Sequence, residues 1–308
     1  YGNLLNKDKP LTKNYFNIDL THKILKKNIS YTEKLYQEYL KIKFQIIEIH
    51  NRPESLNYLI KKKIKSKLIF IFHNNPKEMR GSRTVRERIF LAEKTDQIYF
   101  VSKWVKDKFF EGLPYNHRNN CEILYPAIKP LKKFPSKQNL IIFTGKLNSS
   151  KGYDIFGKAI IKILEKYKNW KAIAIGNEPR EKFDFSHKNF KILDWIQHDR
   201  ILKYYSKASI SIVPSKWLEP FGRTAMESAA HGCATITSKN GGLPETFYNT
   251  LFLSKTTSEE IYKLINLLIK NKNERKFLQK KNFSNVKHKL ENKVKKIDDL
   301  KRFFLNSK

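Results

Sequence analysis

Two glutamates, Glu219 and Glu227, are separated by seven residues, with Pro220-Phe221-Gly222 directly after the first and an apolar run at 210–213 ahead of it. A carboxylate at the mouth of a strand, beside backbone amides that open a helix, is suited to gripping a polar, phosphate-bearing ligand. The amides of Gly222, Arg223 and Thr224 would supply the positive end of that helix. A second group, Thr144-Gly145-Lys146 followed by Lys151-Gly152, comes after an apolar run at 140–143. Two cations this close on a strand-to-helix loop can clamp a diphosphate as paired point charges. A third, Asn240-Gly241-Gly242-Leu243-Pro244-Glu245, is a tight turn after the apolar run 234–237. Taken singly, each has an ordinary reading as a solvated lysine pair, a strand-turn-helix or a turn. All three, however, fall at the carboxyl ends of predicted parallel strands, where open α/β sheets bind ligands. No Asp-x-Asp element occurs in the chain. That argues against a metal-chelated diphosphate and assigns its charge to lysines and a helix terminus, so no metal is expected.

The elements that must position these residues are written in the hydrophobic pattern. Short apolar runs at 140–143, 172–175, 190–193, 210–213 and 234–237 alternate with helical patterns, as in a parallel sheet covered on both faces. The clearest helix is 153–167, where Ile155, Phe156, Ala159, Ile160, Ile163, Leu164 and Tyr167 form one stripe and Lys158, Lys162 and Lys166 the opposite face. Asp199 is expected to open one helix and Gly232 to close another. The N-terminal half repeats the logic with strands at 44–49, 67–72 and 98–101 and helices at 54–64, 85–93 and 103–110, the last capped by Ser102. A Pro- and Lys-rich connection at 126–135 reads as a linker, giving domains 1–130 and 137–308, with helices from Ser258 to the end. The fold class expected is α/β, with two doubly wound, Rossmann-like domains. Residues 1–30 lack the strand-glycine-helix opening that such a domain normally shows, so the first domain is expected to be truncated ahead of Tyr1.

At 308 residues the chain is long enough for two cores. Its formal charge of +33 would attract nucleic acid, anionic lipid headgroups or phosphorylated substrates, although dispersed lysines on helix faces equally describe a solvated surface. The aromatic residues fall mostly on core stripes and are not interleaved with basic ones on one face. Nucleic acid is therefore not the expected partner. Cys121 and Cys233 lie far apart beside apolar segments and read as buried, reduced thiols of a cytosolic protein. No apolar run reaches the roughly 18 residues that span a bilayer.

In order, Phe143-Thr144-Gly145-Lys146, Lys151-Gly152, Glu219-Pro220-Phe221-Gly222, Glu227 and Gly241-Gly242-Leu243-Pro244-Glu245 resemble the retaining, nucleotide-sugar-dependent glycosyltransferases of GT-B family 4. The resemblance covers roughly residues 44–255 and implies two domains facing across a cleft. It implies that Lys146, in place of the family's usual Arg, and Lys151 hold the donor diphosphate. Glu219 would touch the donor sugar near the reacting carbon, and Glu227 the nucleotide ribose. Gly145, Phe221, Gly222, Arg223 and Thr224 would shape the donor site, with Asn177 and Glu178 lining the base pocket. His73, which ends the run 67–72, matches a family histidine facing the donor sugar; Glu219, His73 and Lys151 are thus the expected catalytic residues. His50, at the end of the preceding strand, reads as structural. Arg80, Arg83, Arg86 and Arg88 form a cluster suited to an anionic acceptor or to a solvated helix face.

The reading that follows is a cytoplasmic hexosyltransferase whose co-substrate is a nucleotide-diphosphate sugar. Its acceptor would be a glycan or lipid-linked molecule in cell-envelope polysaccharide or lipopolysaccharide synthesis, with peripheral contact to the inner face of the membrane as a further expectation. A donor-binding fragment without activity and a basic nucleic-acid-binding protein are the alternatives. Nucleotide-sugar epimerases share the architecture but would need carboxylates in both domains.

Overall fold

Period-2 and buried apolar runs become strands and amphipathic runs become helices throughout the computed structural model, which describes residues 27–249 and 251–306. The chain divides into two compact units. One holds the residues up to Val101, Val105–Leu124 and those from Asp298 on; the other holds Ser102–Trp104 and Tyr125–Ile297. This division differs from the sequence-based one at the end of the chain, where the last helix passes out of the second unit into the first. The sequence expectation about residues 1–26 lies outside the described residues.

In the first unit α1 (Lys27–Ile42) precedes β1 (Ile46–His50), α2 (Pro53–Lys61), β2 (Lys67–Phe72), α3 (Val85–Lys94), β3 (Gln97–Phe100), α4 (Lys103–Phe110) and β4 (Cys121–Ile123). The strands are parallel in the order β1-β2-β3-β4, one wing of a doubly wound sheet. Pro53 at the start of α2 costs no hydrogen bond there, and Thr84 with Glu87 closes a capping box on α3. The core is aromatic: Phe72, Phe100 and Phe109 are fully buried, with the Phe72 and Phe100 ring centroids 5.6 Å apart and Phe100 and Phe109 5.1 Å apart.

The second unit contains β5 (Gln138–Thr144), α5 (Tyr153–Lys166), β6 (Lys171–Ile175), β7 (Phe190–Leu193), α6 (His198–Lys207), β8 (Ala208–Val213), α7 (Arg223–Ala230), β9 (Ala234–Thr237) and β10 (Leu251–Phe252). It continues through α8 (Ser258–Lys270), α9 (Lys272–Ser284) and the start of α10 (Leu290–Asn306). The parallel sheet runs β10-β9-β8-β5-β6-β7. The α5 stripe is buried as its spacing predicts, and Ile160, Ile163 and Leu164 pack in one cluster with Ile261, Ile265 and Leu268 of α8. Each such aliphatic side chain contributes about 2 kcal/mol of burial free energy. Cys121 and Cys233 are buried free thiols, and burial pushes the Cys121 thiol up to about 12.

The structure adds to the sequence expectations and corrects one of them. β4 and β10, of 3 and 2 residues, are too short to leave a periodic signal and were not anticipated. α6 starts at His198, one residue before the expected cap, so Asp199 sits in the first turn as a charge facing the helix dipole. Ser102, the expected cap, stands directly before α4, and its Oγ also donates to the Pro220 carbonyl at 2.5 Å.

Candidate active site

The strand order reverses beside β5: β6 and β7 follow on one side, whereas β8 and β9 lie on the other. Ligands of open α/β sheets bind outside the carboxyl ends of the strands at such a reversal. The loops leaving β5 and β8 carry Lys146, Lys151 and Glu219, and they are stitched together. The Lys216 and Trp217 amides both donate to the Ser150 carbonyl at 2.9 Å. Asn148 Oδ1 accepts from the Lys151 amide at 3.0 Å, which closes the short turn that aims Lys151. Gly152 adopts φ +75°, and a Cβ there would overlap the Pro214 carbonyl, so only glycine lets the two loops approach.

Lys151 and Glu219 meet in this arrangement. Lys151 Nζ donates to Glu219 Oε1 at 2.6 Å and lies 4.3 Å from the Trp217 ring centroid. Their side chains are 23% and 13% exposed, shielded from bulk solvent yet reachable. The Gly241-Gly242 turn fastens Glu219 from behind, through a parallel bridge between Glu219 and Gly241 and a 2.7 Å bond from the Gly242 amide to the Glu219 carbonyl. Glu245 of the same turn does not face a ligand, because its carboxylate accepts from the Lys103 and Trp104 amides at 2.6 and 2.9 Å.

Gly145 has φ +140°, and a Cβ built on it would meet nothing within 4 Å, so its backbone borders open space at the end of β5. Lys146 and Asn177 are exposed and Glu178 is buried. Glu178 is engaged within the chain. Arg180 Nε and Nη2 donate to its two oxygens at 2.6 and 2.8 Å and, with a smaller contribution from Lys146, hold its carboxyl at about 2.

Gly222, at φ +109°, begins α7 with no side-chain cap. Phe221 is buried against the rings of Tyr125 and His288, at 5.9 and 5.4 Å, so its part is packing. Arg223 is exposed and Thr224 half-buried. Glu227 is buried and lines a cavity of about 430 Å³ together with Arg223, His198, Leu202, His231 and the segment 127–132. Its Oε1 accepts from Arg223 Nη2 at 3.0 Å and lies 3.1 Å from His198 Nε2. His198 and His231 are neighbours that sequence reasoning missed; isolated histidines in a helix turn carry no spacing signal.

In the first unit, His73 and His50 come together at the carboxyl ends of β2 and β1, with His50 Nδ1 and His73 Nε2 2.9 Å apart. The arginine cluster separates into different roles. Arg80 pairs with Glu54 at 2.9 Å, and Arg83 and Arg86 are exposed. Arg88, by contrast, is fully buried. Its guanidinium donates to the carbonyls of Phe109, Arg83 and Glu111 at 2.7 Å and of Ser82 at 3.3 Å. Arg88 is thus a structural tie and not an acceptor-facing cation. Among the described residues no group of three or more His, Cys, Asp or Glu is placed to hold a metal ion. Nor, among them, is any helix long and apolar enough to cross a membrane.

Two Rossmann-like units with parallel sheets, one with its polar loops gathered at a strand reversal, define an α/β protein of the GT-B class. The chain belongs to the glycosyl transferases group 1 family, whose pattern matches residues 126–284. It is 28% identical over 164 residues to an uncharacterized 42.6 kDa protein in the cps region of Klebsiella pneumoniae; the match covers 50% of this chain and 41% of that protein. The chain therefore spans less than half the length of that curated relative. A glycosyltransferase from Rickettsia africae has the same fold, with a TM-score of 0.75 and 17% identity over 95% of this chain and 85% of that one. Anabaena HepE, solved in complex with UDP and glucose, superposes with a TM-score of 0.72 and 15% identity over 92% and 84% of the two chains.

Proposed function

We propose that the protein is a retaining glycosyltransferase of the family 4 type. It would move a hexose-type sugar from a nucleotide-diphosphate sugar to a glycan or lipid-linked acceptor in cell-envelope polysaccharide or lipopolysaccharide assembly. The observation that carries this reading is the half-shielded Lys151–Glu219 pair at the strand reversal, beside the open backbone of Gly145. A donor diphosphate bound there shares the Lys151 ammonium, with Lys146 as a second cation and the uncapped start of α7 as a third source of positive potential. Sharing Lys151 releases the Glu219 carboxylate to accept from sugar hydroxyls. As the bond to the leaving diphosphate breaks, the lysines stabilise the charge left on its oxygen, which is the larger part of the catalytic effect. Glu227 accepts from ribose hydroxyls in exchange for its bonds to Arg223 and His198. Asn177 and Glu178 flank the base, and Arg80, Arg83 and Arg86 serve an anionic acceptor. No metal takes part.

HepE was solved with UDP and glucose, which supports a uridine donor as the first to try. The cps-region relative supports a polysaccharide acceptor. A formal net charge of +33 supports peripheral contact with an anionic leaflet. The test is release of free nucleoside diphosphate from a panel of nucleotide sugars, with Glu219→Ala as control. Release that depends on Glu219 is expected. Donor binding without release would favour the inactive donor-binding reading, and no donor-induced stabilisation at all would overturn both.

A further inference from the structure

Trp217 stands two residues ahead of Glu219, and both side chains meet the same ammonium. Lys151 Nζ donates to Glu219 Oε1 at 2.6 Å and lies 4.3 Å from the Trp217 ring centroid. In a chain this rich in lysine, loose approaches of cations to rings are expected by chance. Among the described residues, however, the other lysine–ring approaches start at 5.2 Å, and that of Arg275 to Trp170 is 5.1 Å. Only the Lys151 ammonium is in close contact with a ring face. Trp170 is 3% exposed and packs in the α5 cluster, so burial accounts for it. Trp217 is 39% exposed, and among the described residues Lys151 is the one charged or aromatic partner of its indole.

The backbone sets this meeting. The Trp217 amide donates to the carbonyl of Ser150, the residue before Lys151, at 2.9 Å. The Trp217 carbonyl accepts from Ser215 Oγ at 3.2 Å, and the Ser215 carbonyl accepts from Ser238 Oγ at 2.7 Å and Asn240 Nδ2 at 2.8 Å. Lys216, next to Trp217, is drawn aside to Asp154 Oδ2 at 2.7 Å and leaves Lys151 as the cation beside Glu219. An ammonium carries three N–H donors in a tetrahedral arrangement. With one on Glu219 and the indole face fixing a second direction, the third direction is fixed too, and among the described residues it has no acceptor. The two contacts differ in kind. Glu219 neutralises the charge that it holds, whereas the uncharged indole holds the ammonium without cancelling its charge.

We propose that Trp217 is a positioning residue for the donor diphosphate: its indole face keeps the Lys151 ammonium aimed at the phosphate oxygens once the Glu219 carboxylate is shared with sugar hydroxyls. The inference rests on the glycosyltransferase reading above. In that reaction the bond from the anomeric carbon to the diphosphate oxygen breaks, and its electron pair stays on that oxygen. The full charge of Lys151 then faces the oxygen, because the group that orients the lysine is neutral. Trp217 itself touches neither the donor nor the reacting atoms and acts through Lys151.

Two measurements on the full chain test this. In the free protein the ε-methylene proton resonance of Lys151, identified by its absence in Lys151→Arg, should lie upfield of the main lysine envelope and return to it in Trp217→Leu. A resonance inside the envelope in the native chain overturns the contact whether or not the enzyme turns over. The second measurement places mono-, di- and trifluorotryptophan at position 217, a series that keeps the indole's shape while withdrawing negative charge from its face. The Kd for UDP, or for GDP where UDP does not bind, should rise stepwise to about 5-fold and kcat/KM for sugar release fall about 10-fold, with the urea midpoint unchanged, while Trp217→Phe stays within about 3-fold of the native chain. In a Lys151→Met background the same series should leave Kd flat. A flat series with Lys151 present overturns the proposal. So does an equal slope with and without Lys151, which would make Trp217 a direct donor contact. If the native chain binds no nucleoside diphosphate and releases none from any donor while the upfield resonance is present, the glycosyltransferase reading fails and the phosphate-aiming role of Trp217 falls with it.

Discussion

Lys151 and Glu219 bear on each other more than on anything else nearby, and that coupling sets what replacing either should do. Glu219→Gln keeps a hydrogen-bond acceptor for Lys151 but removes the charge proposed to face the donor sugar. Sugar release should fall by 10²-fold or more while the Kd for nucleoside diphosphate, measured calorimetrically, changes less than about 3-fold. A comparable loss of both would assign Glu219 to general binding. Arg88 gives the opposite case, a charged residue with no part in chemistry. Arg88→Leu strips donors from four buried or half-buried carbonyls and should cost about 3 kcal/mol or more, read as a shift in the urea midpoint. The sequence placed Arg88 in a functional cluster because composition does not distinguish a guanidinium facing water from one facing backbone carbonyls. The surroundings of His50 were out of reach for the same reason: its partners Glu48 and His73 lie 2 and 23 positions away along the chain, and Lys301, which pairs with Glu48, lies 253 positions from that glutamate.

Among the elements, the turn at Gly241-Gly242 explains why a third glycine motif accompanies the two glutamates. It supports Glu219 through backbone contacts alone. Gly241 sits at φ +67°, and a Cβ there would overlap the Glu219 carbonyl. Gly241→Ala should therefore cost about 1–2 kcal/mol of stability and reduce sugar release at least 10-fold, with nucleotide binding largely kept. Equal activity in the alanine variant would detach the turn from catalysis. The helices and strands of the second unit were legible because 3.6-residue stripes and buried β runs are long there. The two shortest strands were not, since neither gives a period to detect.

At the scale of the whole molecule, titration and surface charge yield two further expectations. Burial lowers the values of His231 and His288 below that of a free imidazole. Both are therefore neutral in the fold, and the unfolded chain takes up protons more readily. The stability they contribute is complete above about pH 6.5 and is lost as pH falls below it. Glu48 adds a second acid-sensitive contribution, present above about pH 4.5 and lost as pH drops toward about 2. Tm should fall by a few degrees between pH 7.5 and 5.5, less so in His231→Gln, as thermal melts would show. A Tm flat or rising over that range contradicts the assignment. The excess of +33 should bring the protein to vesicles of anionic lipid at 50 mM salt and release it at 500 mM. Flotation with no binding at low salt would leave the lysines as a solvated surface.

The sequence by itself determined the second unit's α/β alternation, the three loops that end its strands, and the residue types each loop presents. These depend on local periodicity and on spacings of a few residues, which a chain carries wherever it folds. Only the tertiary structure decided that Lys151 closes on Glu219, that Glu245 turns away to bind the Lys103 and Trp104 amides, that Arg88 is sequestered, and that His50, His73, Glu48 and Lys301 form one chain of bonds. Each of these joins residues from different strands, loops or helices. Such pairings are fixed by the order and register of the sheet, which no short stretch of sequence contains.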